Sequence, residues 1–227
     1  MYVSALHAEW LKIRTLRSLV VTLAVILLAT VGFSALAGLD AGVEDPLFTT
    51  YFGVSFGQIA AVSFAATATA AEFRDGALRV SLAAVPDRTR WFAAKVTAIG
   101  LPVLAVGLLT GVAVLPLGSG LTWAEGVRGA VGCALYLTLM ALLAAGLTAV
   151  LRSGVATLGI LVPFLLLVSF VIGDMSGTVA DWLPDRAGQA ALHSDPAVNP
   201  WLGLLVTGLW SAAALGAGAW RVRKRDA

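Results

Sequence analysis

The chain has 227 residues, 59% of them hydrophobic and only 12% charged, with a formal net charge of +2 and a mean hydropathy of +0.91. A soluble domain carries about 25% charge, so this composition excludes an ordinary water-soluble fold and points to an all-α membrane protein. The apolar spans leave roughly 100 residues for tails and loops, too few for a soluble catalytic domain of the usual ~100–150 residues, so residues 1–227 are expected to form a single membrane domain.

In chain order, residues 4–17 come first. Leu6, Trp10, Ile13 and Arg17 recur at helical spacing, with Glu9, Lys12 and Arg14 off that stripe. Such a pattern predicts an amphipathic helix in the headgroup region, Trp10 and Ile13 toward the acyl chains; the other reading is a plain topology anchor. A bilayer core about 30 Å thick needs roughly 20 apolar residues to cross. Six stretches free of Asp, Glu, Lys, Arg and His meet that need: Leu19–Leu39, Tyr51–Ala71, Val96–Gly118, Gly129–Val150, Gly154–Gly173 and Leu202–Trp220. The first follows Lys12, Arg14 and Arg17 and contains Ala35-Leu36-Ala37, which resembles a signal-peptide cleavage site. Its apolar run exceeds the ~7–15 residues of a signal-peptide core, so it is expected to stay as the first span.

The second span is the least apolar. Ser55, Gln58, Ser63, Thr67 and Thr69 interrupt Gly, Ala and Phe, and Gly53–Gly57 has GxxxG spacing, repeated in the third span at Gly107–Gly111. Small and hydroxylic residues favour close helix contact, which predicts that span two lies inside the bundle or at a subunit interface, with Ser55, Gln58, Ser63 and Thr67 on a pathway or in packing. Between spans two and three, Leu78, Leu82 and Val85 repeat at i, i+4, i+7 before Pro86. The 72–95 connection therefore reads as a short amphipathic helix, a turn at Pro86-Asp87 and a second piece leading into span three. In the other long connection, 174–200, Trp182, Leu183, Ala187, Ala190, Ala191 and Leu192 predict either short helices dipping into the membrane or a loop packed over the bundle mouth, with breaks at Pro184, Pro196 and Pro200.

Charge then orients the spans. Thirteen of the fifteen Lys and Arg residues fall on one side: Lys12, Arg14, Arg17, the five of the 72–95 loop (Arg74, Arg79, Arg88, Arg90, Lys95), Arg152, and the terminal Arg221, Arg223, Lys224 and Arg225. The other side has Arg128 and Arg186 with Asp40, Glu44, Asp45, Glu125, Asp174, Asp181, Asp185 and Asp195. Basic loops stay in the cytoplasm, so both termini are expected inside, with six spans between them. The basic pI marks topology, not nucleic-acid binding.

Chemistry-bearing motifs are few. The sequence contains no HExxH, CxxC, GxSxG or phosphate-binding GxxxxGK[ST], and His7 and His193 fall on opposite sides of the expected membrane. Cys133 stands alone in the fourth span and is read as a packing residue. The spans hold no ionisable pair, which argues against an intramembrane enzyme or an ion-coupled carrier, since both place such groups at depth. No catalytic, cofactor or metal residue is assigned, and any driving nucleotide is expected on another chain.

Three stretches resemble the bacterial ABC-2 type transporter permeases: Ala8-Glu9-Trp10-Leu11-Lys12-Ile13-Arg14 with Thr15-Leu16-Arg17-Ser18 at the start, Glu72-Phe73-Arg74-Asp75-Gly76 with Leu82-Ala83-Ala84-Val85-Pro86 after span two, and the basic tail Arg221-Val222-Arg223-Lys224-Arg225-Asp226-Ala227. Ala77 stands where the family more often has Thr. The resemblance implies a multi-pass permease of the bacterial cytoplasmic membrane. Its six helices would pair with those of a second copy or a paralogue above two cytoplasmic ATPase subunits that carry ATP and Mg. It would export a small or amphiphilic molecule: a drug, a peptide or a lipid-like compound. It further implies that Glu72, Phe73, Arg74, Asp75, Gly76 and the following helix, with Glu9, Trp10, Lys12 and Arg14, form the ATPase-coupling surface. A channel, a scramblase or a scaffold is the alternative.

Overall fold

A computed structural model describes residues 2–39, 45–85, 87–168 and 180–225. Among them every regular element is helical, and no β-strand is present. In chain order the helices are α1 (Tyr2–Thr15), α2 (Arg17–Ala37), α3 (Pro46–Tyr51), α4 (Val54–Ala70), α5 (Ala77–Ala84), α6 (Arg88–Ala113), α7 (Trp123–Leu151), α8 (Gly154–Pro163), α9 (Pro184–Gln189) and α10 (Pro200–Arg225). Short 3₁₀ turns cover Ala71–Phe73, Leu115–Leu117, Ala180–Trp182 and Ala190–Leu192. Five segments are long and apolar enough to cross a bilayer: α2, the α3–α4 run to Phe73, α6 with its 3₁₀ extension, α7 and α10. These correspond to expected spans one, two, three, four and six. For the expected fifth span, 154–173, the description stops at Val168. Its described part consists of α8 and a π-helical turn, Phe164–Val168, beginning directly after Pro163. Asp40, Glu44, Pro86, Asp174 and the final Asp226-Ala227 also lie outside the described residues.

α7 is the central post, packing against α4, α6 and α10. It starts on a full capping box, in which Thr122 accepts from the Glu125 amide while the Glu125 carboxylate accepts from the Thr122 amide; a cap of this kind contributes about 1 kcal/mol. Glycines let neighbours approach. A Cβ on Gly111 would sit 2.8 Å from the Ala130 Cα, one on Gly107 would sit 2.8 Å from the Ala134 Cα, and one on Gly146 would sit 2.5 Å from the Ala214 backbone. The Gly107–Gly111 pair of α6 thus faces α7, and the Gly53–Gly57 pair faces Thr30 of α2. Span two accordingly lies inside the bundle, as its composition suggested. The chain breaks between α3 and α4, and the freed Gly53 amide donates to Ser34 Oγ of α2 at 3.0 Å, supplying a partner for a helix-start N–H that lipid could not.

The two ends of the bundle differ. At one end α1, α5, the start of α6 and the end of α10 come together. Leu78, Trp91, Phe92, Ala149 and Val222 form a small apolar cluster there, with Phe73, Leu82 and Val85 packed against it. The Leu78/Leu82/Val85 stripe expected of the 72–95 connection is therefore the packed face of α5 and of the residue that caps it. Arg88 Nη1 donates to the Val222 and Arg223 carbonyls, 3.1 Å each, closing the end of α10. The expected helix at the N-terminus forms. Ala5, Glu9 and Ile13 are its buried residues, and Ile13 joins the main core with Leu6 packed beside it, while Trp10 stays exposed. Glu9 lies off the Leu6/Trp10/Ile13 stripe yet is buried, because it pairs with Lys12 on its own helix and with Lys95, 86 residues away.

At the other end, the described part of the 174–200 connection contains α9 and two 3₁₀ turns and is wedged between α7 and α10. Ala187, Ala191 and Leu192 are buried. Thr207 Oγ1 donates to the Pro184 carbonyl at 2.7 Å.

Candidate functional site

Two features carry polar chemistry, one at each end. The first is a closed cluster of four charges. α1 contributes Glu9 and Lys12 one turn apart, the 3₁₀ turn after α4 contributes Glu72, and the first half of α6 contributes Lys95. Lys12 Nζ lies 2.7 Å from Glu9 Oε1 and 2.8 Å from Glu72 Oε1. Lys95 Nζ lies 2.7 Å from Glu9 Oε2 and 2.8 Å from Glu72 Oε1. Ser81 of α5 donates to Glu72 Oε2 at 3.0 Å. Each ammonium meets two carboxylates and each carboxylate two ammoniums, so the cluster is neutral. Glu9, Glu72 and Lys95 are only 4%, 2% and 5% exposed. Unpaired charges so buried would each cost several kcal/mol, and mutual pairing offsets that cost. Burial alone would lower the Lys12 pKa, but hydrogen bonds to the Glu72 and Glu9 carboxylates outweigh it and raise the pKa above its usual 10.5.

The residues expected on the coupling surface therefore separate into two sets. Glu9, Lys12 and Glu72 are brought together inside the joint. Trp10, Arg14, Arg74, Asp75 and Gly76 stay on the surface, and Phe73 is half-buried beneath the Arg152 guanidinium, 5.8 Å from its ring centroid. Asp75 and Gly76 both take positive φ, 51° and 74°, which reverses the chain so that α5 folds back against the cluster. Sequence reasoning counted Lys95 only as a topology charge and did not single out Ser81. Among the described residues no three His, Cys, Asp or Glu side chains are grouped to hold a metal.

The second feature is a cavity of about 570 Å³ toward the opposite end, within the range of about 300–1,000 Å³ usual for small-molecule sites. Ser55 and Gln58 line it, whereas Ser63 and Thr67 do not; Thr67 is exposed. At its inner edge Tyr136 OH donates to Gln58 Oε1, Gln189 Nε2 donates to Tyr136 OH at 3.1 Å, and Gln58 Nε2 donates to the Ser55 carbonyl at 3.0 Å. This network joins α4, α7 and α9, and its groups are neutral. Phe48, Phe52 and Phe56 form one wall. Neither Tyr136 nor these rings stood out in the sequence, although the i, i+4, i+8 spacing of the phenylalanines was there to be read.

A clasp holds the mouth of the cavity. Asp45, the N-cap of α3, accepts from the Phe48 amide at 3.0 Å and from the Ser194 amide at 3.1 Å, and its Oδ2 lies 3.1 Å from His193 Nδ1. The His193 ring stacks on Phe48 with centroids 4.4 Å apart. Burial would raise the Asp45 pKa, but the hydrogen bonds from Phe48, Ser194 and His193 outweigh it and hold the pKa below its usual 3.8. A depressed carboxylate pKa stabilises the fold above its unfolded value, and that contribution is lost as pH falls through the folded value. Asp45→Asn is thus expected to lower the thermal midpoint by a margin that vanishes as pH falls through the lowered carboxylate value. A margin independent of pH down to strong acid would remove the ionised clasp.

The chain matches no protein-family model and no curated protein.

Proposed function

We propose that the chain is the permease subunit of an ATP-driven exporter of the ABC-2 type, with six spans, both termini in the cytoplasm of a bacterial cell, and a separate ATPase beneath. The observation that carries this reading is the Glu9–Lys12–Glu72–Lys95 cluster, in which Glu9, Glu72 and Lys95 are buried and Lys12 is half-buried. It fastens the N-terminal helix, the turn after α4, α5 and the start of α6 into one stiff base at the basic end. Force applied to such a base passes into the spans and is not absorbed by a loose loop. α5 sits on this base with Leu78 inward and with Arg79 and Val80 outward, Val80 being 74% exposed. An exposed aliphatic side chain beside a cation, on a short helix at the charged end, suits a groove on a partner. The cavity at the other end supplies a place for cargo. A second copy or a paralogue would complete the pathway, with ATP and Mg on the ATPase.

Affinity purification of the tagged chain from its native membrane tests this. A cytoplasmic ATPase with a phosphate-binding loop is expected to accompany it. Arg79→Glu with Val80→Asp is expected to abolish that capture without shifting the thermal midpoint, because both side chains point away from the packed face. If the wild-type chain purifies with no nucleotide-binding protein, the exporter reading fails. A channel, scramblase or scaffold then takes its place.

A further inference from the structure

We infer that the 570 Å³ cavity binds an amphiphilic organic cation, such as a lipophilic amine or a quaternary onium. Its aromatic wall is a continuous ladder. The rings of Phe48 and Phe52 meet edge to face at 5.9 Å, and those of Phe52 and Phe56 are tilted at 5.7 Å. Phe56 also stacks on Phe33 at 3.9 Å and Phe48 on His193 at 4.4 Å, so one face of each end ring is taken. Aromatic faces carry negative potential, and the rest of the ladder attracts a cation and receives its apolar substituents. Charge on the remaining lining has the same sign preference. Among the described lining residues, Asp181 is half-exposed and Asp195 exposed, and both contribute carboxylates, whereas Asp185 is buried and it and Arg186 each already have a partner; His193 is held by Asp45. The Gln58–Tyr136–Gln189 network gives the inner edge polarity without charge.

An organic anion would meet carboxylates and electron-rich rings together, and a fully apolar guest would leave the carboxylates facing it without benefit. A bare metal ion lacks a grouped donor set among the described residues. An amphiphilic cation satisfies both halves of the lining. That such a cation is also the exported cargo rests on the permease reading; that it binds does not.

The test uses the purified full chain in lipid nanodiscs, without any ATPase, and equilibrium dialysis against tetraphenylphosphonium, with empty nanodiscs as the baseline. Tetraphenylborate, nearly the same shape with the opposite charge, is the matched control. Tetraphenylphosphonium is expected to show a saturable component of one per chain, and tetraphenylborate none. Phe52→Leu and Asp181→Asn, both at half-exposed positions, are each expected to weaken the cation by about tenfold while the helical circular dichroism and thermal midpoint stay unchanged. No saturable component, equal binding of the two ions, or wild-type binding by both folded variants would overturn the assignment. Because no ATPase is present, cation binding by a chain that captures no ATPase would sink the exporter reading alone. Capture of an ATPase without cation binding would sink the cavity assignment alone.

Discussion

Replacing Lys95 with Met is expected to destabilise the folded chain by about 3–5 kcal/mol, the cost of removing one partner from a buried ion pair. Met keeps most of the side-chain volume, so the loss is electrostatic. Glu9 Oε2 and Glu72 Oε1 would both lose an ammonium at 2.7 and 2.8 Å, leaving two buried carboxylates to share Lys12. Glu72→Gln alone is expected to be damaging in the opposite sense, with two ammoniums around one carboxylate. Combining Glu72→Gln with Lys95→Met restores neutrality, so the double variant is expected to fall well short of the sum of the single effects. The readout is thermal or denaturant unfolding in detergent, followed by tryptophan fluorescence, since Trp91 is buried one turn before Lys95. Additive effects, or a Lys95→Met variant within about 1 kcal/mol of wild type, would mean that the four charges do not form one desolvated unit. The alkaline limb has a defined sign. The raised Lys12 pKa makes its contribution complete below 10.5 and lost only as pH rises through the higher folded value. The Lys12 contribution thus holds unchanged through the physiological range.

That cluster also marks where sequence reading stopped. Runs of about 20 apolar residues have few fates, so five of the expected spans match helices of crossing length. The α5 stripe was legible for the same reason, periodicity being local. Glu9, Lys12 and Glu72 could be singled out, but not the way they face. A lysine just before an apolar run reads as a topology signal or a snorkelling side chain, and nothing local tells that Lys95 instead closes a ring with residues 86 and 23 positions away. The available signal was two carboxylates, Glu9 and Glu72, stranded next to spans on the basic side. The cavity followed a similar division. Ser55 and Gln58 were visible as polar residues in a span, whereas Tyr136 acquires its meaning only from Gln58 and Gln189, its long-range partners. GxxxG spacing identified small residues but not Thr30 opposite them.

The contact at Thr30 sets the other large effect. Gly53→Ala is expected to cost more than the ~1–3 kcal/mol of ordinary overpacking. A Cβ there would lie 1.9 Å from the Thr30 carbonyl oxygen and 2.7 and 2.8 Å from its carbonyl carbon and Cα. Backbone cannot rotate out of the way, so α2 and α4 must separate, and the Gly53 amide would lose Ser34 Oγ. Gly57→Ala meets a different obstacle. Its nearest neighbour is the Thr30 hydroxyl at 2.1 Å, a side-chain atom, with the Ile26 carbonyl next at 3.3 Å. Thr30→Ala removes that hydroxyl and is therefore expected to rescue most of the stability lost by Gly57→Ala and little of that lost by Gly53→Ala. Gly32→Ala serves as the control. No atom lies within 4 Å of its Cβ, so it is expected to be neutral or mildly stabilising, because alanine is the better helix former. The four single variants and two double variants can be ranked by thermal midpoint in one detergent. Equal rescue of both glycine variants by Thr30→Ala would show that side chain, not backbone, limits the approach at Gly53. The close α2–α4 crossing would then have to be abandoned.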